Sequence, residues 1–76
     1  MGKLEEVLSK VLGIPTETIN DQTSPDNTES WDSFNGLMMV SELENAFKVK
    51  FTMDEVTSVK SVADIKKVLK KHNLKF

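Results

Sequence analysis

Three sets of side chains in this sequence could take part in chemistry: the adjacent pair Asp32–Ser33, the single histidine His72, and twelve carboxylates set against ten lysines. Catalysis normally requires a nucleophile beside a base, a pair of carboxylates held apart in pKa, or a metal. His72 has no ligand or base partner at useful spacing. A basic ring near the end of the last helix is accounted for by its favourable place at a helix C-terminus. There is no glycine-rich phosphate loop and no nucleophile elbow. Cysteine is absent, which removes disulfides, thiolate nucleophiles and thiolate metal sites together. Intrinsic enzyme activity is therefore not expected. What remains is Ser33 in "ESWDSF", residues 29–34, where a polar loop gives way to an apolar run. Taken alone, Asp32 and Ser33 are helix-capping residues, the commonest use of both types.

The chain around that pair has 76 residues, enough for one small domain over 1–76 and one core. A domain of this size buries only about 60% of the surface its unfolded chain exposes, which leaves little room for a deep enclosed site. The net charge of -2 is unevenly spread, with the acids concentrated before Phe34 and the lysines after it. Every basic residue is lysine, without the arginine forks or stacked aromatics that favour nucleic acid. The lysines at 66, 67, 70 and 71 read as the wet face of a helix. No apolar run is long enough to span a bilayer. The Met-Gly start has Glu6 where a myristoylation signal needs Ser or Thr. A cytoplasmic monomer that binds neither nucleic acid nor membrane is expected.

The elements that must position Ser33 follow from periodicity and caps. Leu4, Val7, Leu8, Val11 and Leu12 recur at helical spacing over residues 3–12, and Gly13 and Pro15 end that helix. Residues 13–32 are a long loop by composition, anchored by Ile14, Ile19 and Trp31. A second helix spans 33–47. Steps of about 100° per residue put Gly36, Leu37, Met39, Val40, Leu43 and Phe47 on its core face. The opposite face carries Phe34, Met38, Ser41, Glu42 and Asn45. The Asn-Gly pair at 35–36 does not make a hairpin, because no alternating strands flank it. "TMDE" at 52–55 fits a capping box that opens a short helix, with Val56 and Val59 inward. "SVAD" at 61–64 opens the last helix, with Val62, Ile65, Val68 and Leu69 inward. The fold class is all-α: a small four-helix bundle of three main helices and one short one, with the long loop between the first two.

Asp32, Ser33, Leu43, Glu44, Phe47, Phe51, Ser61 and Val62 together form a pattern that resembles the acyl carrier protein family, including its peptidyl and aryl carrier relatives. "DQTS" at 21–24 is similar to the stretch upstream of the motif in that family. The resemblance runs through the whole chain and is most specific over 29–69. It implies that Ser33 is an attachment point rather than a catalyst. A phosphopantetheinyl transferase would move 4'-phosphopantetheine from coenzyme A onto its hydroxyl, and the terminal thiol would then carry acyl groups as thioesters. The prosthetic arm would supply the sulfur that the chain lacks. Asp32 would present the serine and hold a cation or basic group of the transferase. Unpaired N–H groups in the first helical turn suit an incoming phosphate.

Further expectations follow from the same resemblance. Partners, which are the transferase and the acyl-loading and acyl-processing enzymes, would dock on Phe34, Met38, Ser41 and Glu42. An acyl cleft would open at Gly36, Leu37, Val40 and Leu43, with Gly36 leaving room at its mouth. Phe34 stands where the family usually has leucine, and Asn35 and Met38 stand where acids are common. A carrier serving a specialised pathway fits these departures. Two other readings stay open at this point: an aminoacyl or peptidyl carrier serving an adenylating enzyme, and an unmodified helical interaction module.

Overall fold

Local sequence rules place each helix end. The structure, a computed structural model describing residues 2–76, has α1 at Lys3–Leu12, α2 at Ser33–Phe47, α3 at Met53–Ser58 and α4 at Val62–Lys71. No strand forms among the described residues. Gly13 ends α1 in the left-handed conformation at φ 67°, and its N–H reaches the carbonyl of Ser9. A side chain there would be strained, which is why glycine holds that turn. At the end of α4, Asn73 takes a φ of 61°. The Leu74 N–H bonds back to the Leu69 carbonyl at 2.9 Å and the Asn73 N–H to that of Lys70 at 2.9 Å, which closes a Schellman turn.

The core is a stack of leucines and their neighbours. Leu4, Leu8 and Leu12 of α1 meet Met39 and Leu43 of α2 and Val62, Ile65 and Leu69 of α4, with Ile19 and Trp31 contributed by the loop. Val7, Val11 and Phe47 pack partly buried around it.

The long loop is ordered by its own polar side chains. Thr16–Thr18 make one 3-10 turn. The Asn27 side chain accepts from the Ser24 N–H at 3.0 Å and donates to the Gln22 carbonyl at 2.8 Å. The loop then caps α4: the carbonyls of Thr23 and Asp21 accept from the N–H groups of Val62 at 2.9 Å and Ala63 at 3.1 Å. Two of the first-turn donors of α4 are thus satisfied from a distant segment. Residues 49–51, "VKF", alternate in character like a short strand but form none. The Glu44 carboxylate accepts the Phe51 N–H at 2.8 Å and holds that return in place.

Four expectations need correction. Leu37 is not on the core face but 64% exposed. Met39 and Leu43 define the buried stripe, and residues two apart on a helix point to opposite sides, so Leu37 must turn outward. Val56 is only half-buried, Val59 packs partly buried against the core, and the buried residue of α3 is Glu55. His72 does have a partner: its Nε2 lies 3.0 Å from the Glu55 carboxylate, and its ring stacks on Phe51 at 6.4 Å. The lysine face of α4 is wet at Lys67, Lys70 and Lys71, but Lys66 is half-buried and bonds to Asp21.

Candidate functional site

Asp32 is the N-cap of α2. Its carboxylate accepts the Asn35 N–H at 2.8 Å, and its carbonyl accepts that of Gly36 at 2.8 Å. Ser33 is therefore the first helical residue. Its side chain is exposed, and its hydroxyl bonds to no other described residue. With the Asn35 and Gly36 donors already used, the N–H groups of Ser33 and Phe34 are the two in this turn without an acceptor among the described residues. The turn keeps part, not all, of the donor set that the sequence suggested.

Beside Ser33 lies an open groove of about 450 Å³, walled by Trp31, Gly36, Met39, Val40, Val56 and Val59. Leu37 and Pro25 line it as well. Leu43, expected in the cleft, does not line the groove and lies in the core at 1% exposure, whereas Met39, equally buried, does line it. Trp31, Val56 of α3 and Val59 just after it are wall residues expected from the sequence only as packing. The signal for Trp31 was its place beside the Asp–Ser pair; the valines are distant in sequence, and nothing local says that α3 faces α2. A wider concavity of about 810 Å³ lies under the loop, on Leu12, Ile14, Thr23, Asn27 and Ser30, and does not include Ser33. Size does not decide between the two. The smaller is the one that adjoins an unencumbered hydroxyl.

Gly36 sits against the Trp31 indole. A Cβ added there would meet Trp31 Nε1 at 3.6 Å, an ordinary contact, so alanine fits without displacing the ring. Gly36→Ala is expected to stabilise the protein by up to about 1 kcal/mol through lower backbone entropy in the unfolded chain. A thermal melt checks this. A fall in the midpoint would mean that the groove wall has no slack.

The outward face of α2 is uncharged and largely apolar next to Ser33. Phe34 is 71% exposed, and Leu37, Met38 and Ser41 are exposed with it. Residues three and four apart on a helix are neighbours, so Phe34, Leu37 and Met38 form one patch. Glu42 is not part of it. It is half-buried, and its carboxylate lies 3.1 Å from Lys10 Nζ of α1.

With that geometry in place, residues 2–69 match the family model described as a phosphopantetheine attachment site. The chain belongs to that family. Its members carry 4'-phosphopantetheine and act as acyl or peptidyl carriers rather than catalysts. As members of a carrier family they generally interact with a phosphopantetheinyl transferase and with acyl-processing enzymes. No curated protein sequence matches the chain closely enough to supply a relative. Among the described residues no helix is long and apolar enough to cross a membrane, and no cluster of three or more histidine, cysteine or acidic side chains is placed to hold a metal.

The residues beside Ser33 fit the family's prosthetic group. An uncrowded hydroxyl opens on an apolar trough, and two unpaired backbone donors face the same turn. That group, when bound, contributes a terminal thiol at which acyl chains are carried. The chain itself would supply the anchoring oxygen at Ser33, the capped turn that holds it, and the trough.

Proposed function

We propose that this protein is a carrier whose Ser33 receives 4'-phosphopantetheine and which then delivers acyl cargo to biosynthetic enzymes. In the loading step the Ser33 Oγ attacks the coenzyme A phosphorus that bears pantetheine. A new O–P bond forms as the P–O bond to the adenosine bisphosphate portion breaks. That portion leaves with the electron pair, and the serine proton passes to a base on the transferase. The protein's part is to hold Oγ in the open and to offer the Ser33 and Phe34 N–H groups near the transferred phosphate. The observation that carries this reading is an exposed, unbonded Ser33 hydroxyl beside an apolar groove, in a chain of the attachment-site family. Intact-mass measurement after incubation with coenzyme A and a broad-specificity transferase tests it. A wild-type protein that gains no mass with several transferases removes the reading.

The groove wall of Trp31, Met39, Val40, Val56 and Val59 favours an apolar acyl cargo over a charged one. The patch of Phe34, Leu37 and Met38 favours partners that meet α2 with an apolar surface rather than a basic one. Charges on a rim contribute mainly to association rate and partner choice. An uncharged face therefore predicts transfer rates that depend little on salt. Met38→Glu is expected to weaken the native partner by about tenfold, less than full burial of a methionine is worth. It should also improve recognition by enzymes built for acidic carriers. Transfer rates for both proteins with both enzyme sets, over a salt range, are the measurement. Unchanged rates throughout would place the docking surface elsewhere, most simply on the loop from Asp21 to Trp31.

A further inference from the structure

The segment that delivers the chain to Ser33 is tied into a small ring of hydrogen bonds, and Asn35 closes it. The Asn35 backbone N–H donates to the Asp32 carboxylate at 2.8 Å. Its side-chain Nδ2 donates to the Ser30 carbonyl at 2.7 Å. That same carbonyl accepts the Asp32 N–H at 3.1 Å, and the Trp31 N–H bonds to Thr28 at 3.0 Å. Ser33 lies between the two ends of this ring. Its backbone direction, and so the aim of its Cβ, is set by a loop on one side and a helical turn on the other. We propose that Asn35 is a positioning residue for loading of Ser33. It fixes the hydroxyl and the Asp32 carboxylate in one arrangement without itself touching the reacting atoms.

The chemistry of the side chain makes this specific. The Ser30 carbonyl can only accept, so the group facing it must donate. Asparagine donates through Nδ2; an aspartate at this place has only acceptor oxygens when ionised. Asn35→Asp would set a carboxylate oxygen against a carbonyl oxygen at a separation that now holds a short hydrogen bond. The cap through the backbone N–H would survive, because it does not involve the side chain. The ring would open at one point, and the 28–31 segment with Trp31 would lose its tether to α2. Small misplacements of a reacting group cost far more in rate than in binding.

The inference rests on the reading of Ser33 as the attachment point, and the test separates the two. Wild type, Asn35→Asp and Asn35→Ala are compared as substrates for a phosphopantetheinyl transferase with coenzyme A, by initial rates over a range of carrier concentration. Asn35→Asp is expected to lower kcat by about tenfold, whatever the added charge does to KM for the carrier. Asn35→Ala, which loses the donor without adding repulsion, should fall between it and wild type. Trp31, the only tryptophan and 5% exposed, reports the loop directly. Its emission should shift to the red in Asn35→Asp while the helical circular dichroism stays constant. A merely structural role would lower the melting midpoint and leave kcat alone well below it. Wild-type kcat in both variants overturns the inference, as does a change confined to KM, which would make Asn35 a docking contact. If wild-type Ser33 takes no arm at all, the carrier reading falls and this inference falls with it.

Discussion

Ser33→Ala will gain no mass on incubation with coenzyme A and a phosphopantetheinyl transferase, whereas wild type will gain one arm and Ser41→Ala will gain it equally. The effect is all or none because no other serine is placed to substitute. Ser9, Ser58 and Ser61 spend their hydroxyls on hydrogen bonds within the fold. Ser30 Oγ is buried. Ser41 is exposed but sits in the middle of α2, where the turn has no unpaired donors to offer a phosphate. The alanine variant should keep its fold, within about 0.5 kcal/mol of wild type, since an exposed hydroxyl without partners contributes little. Modification of Ser33→Ala would overturn the assignment. Loss of modification in an unfolded variant would not support it, so circular dichroism accompanies the mass measurement.

The second large effect is expected at Glu55. It is 5% exposed and, among the described residues, the one buried charged side chain. It completes the capping box of α3, accepting the Thr52 N–H at 2.8 Å while Thr52 Oγ1 accepts the Glu55 N–H at 3.1 Å. It also meets His72 at 3.0 Å and Lys71 at 3.5 Å, and so ties α3 to the end of α4. The Thr52 N–H, then His72, then the charge of Lys71 hold its carboxyl at about 2, down from the ordinary 4.5, against burial that pushes it up. A carboxyl lowered in the folded state stabilises the fold fully above its unfolded pKa. That stabilisation is lost as the pH falls from about 4.5 toward 2.

Thr52→Ala should cost about 1 kcal/mol, the usual worth of an N-cap. Glu55→Gln should cost more, because it weakens the cap and the link to α4 together. The stability gap between wild type and Glu55→Gln should be fully present above pH 4.5 and shrink as the pH falls below it. Other carboxylates titrate in the same range, so the difference between the two curves is the quantity to read. A gap that stays constant down to pH 2 would show that the charge on Glu55 is not what holds α3. Since Val56 of α3 and Val59, which follows it, wall the groove, wild type at low pH should also lose protection of any bound acyl chain before α1 and α2 unfold.

Helix limits were readable because their causes are local. Leucine spacing followed by Gly13 ends α1 where the left-handed turn occurs, and Asp32 starts α2 through a bond to a residue three positions on. Thr52–Glu55 and Ser61–Asp64 mark their helices in the same way, although Asp64 reaches back to the Lys60 N–H rather than to that of Ser61. The Asp–Ser pair and the apolar positions downstream of it likewise lie in one dimension, so membership of the carrier family is visible without coordinates.

Other features depend on which surfaces meet. Apolar residues surround most of the circumference of α2 between Phe34 and Leu43, so periodicity alone does not choose its buried side. Contact with α1 and α4 selects Met39 and Leu43 and leaves Leu37 largely exposed, so that it both lines the groove beside Ser33 and joins the apolar patch. The pairing of Glu42 with Lys10 spans 32 positions and that of Glu55 with His72 spans 17. Neither follows from any helical repeat, because ion pairs between elements are set by how the elements pack. Sequence by itself determined the helices, their caps and the exposed serine at the head of α2. Tertiary structure alone decided which side of α2 faces solvent, that α3 walls a groove beside Ser33, and that the Asn35 amide reaches the Ser30 carbonyl, because each of these needs two segments placed in space rather than one read along the chain.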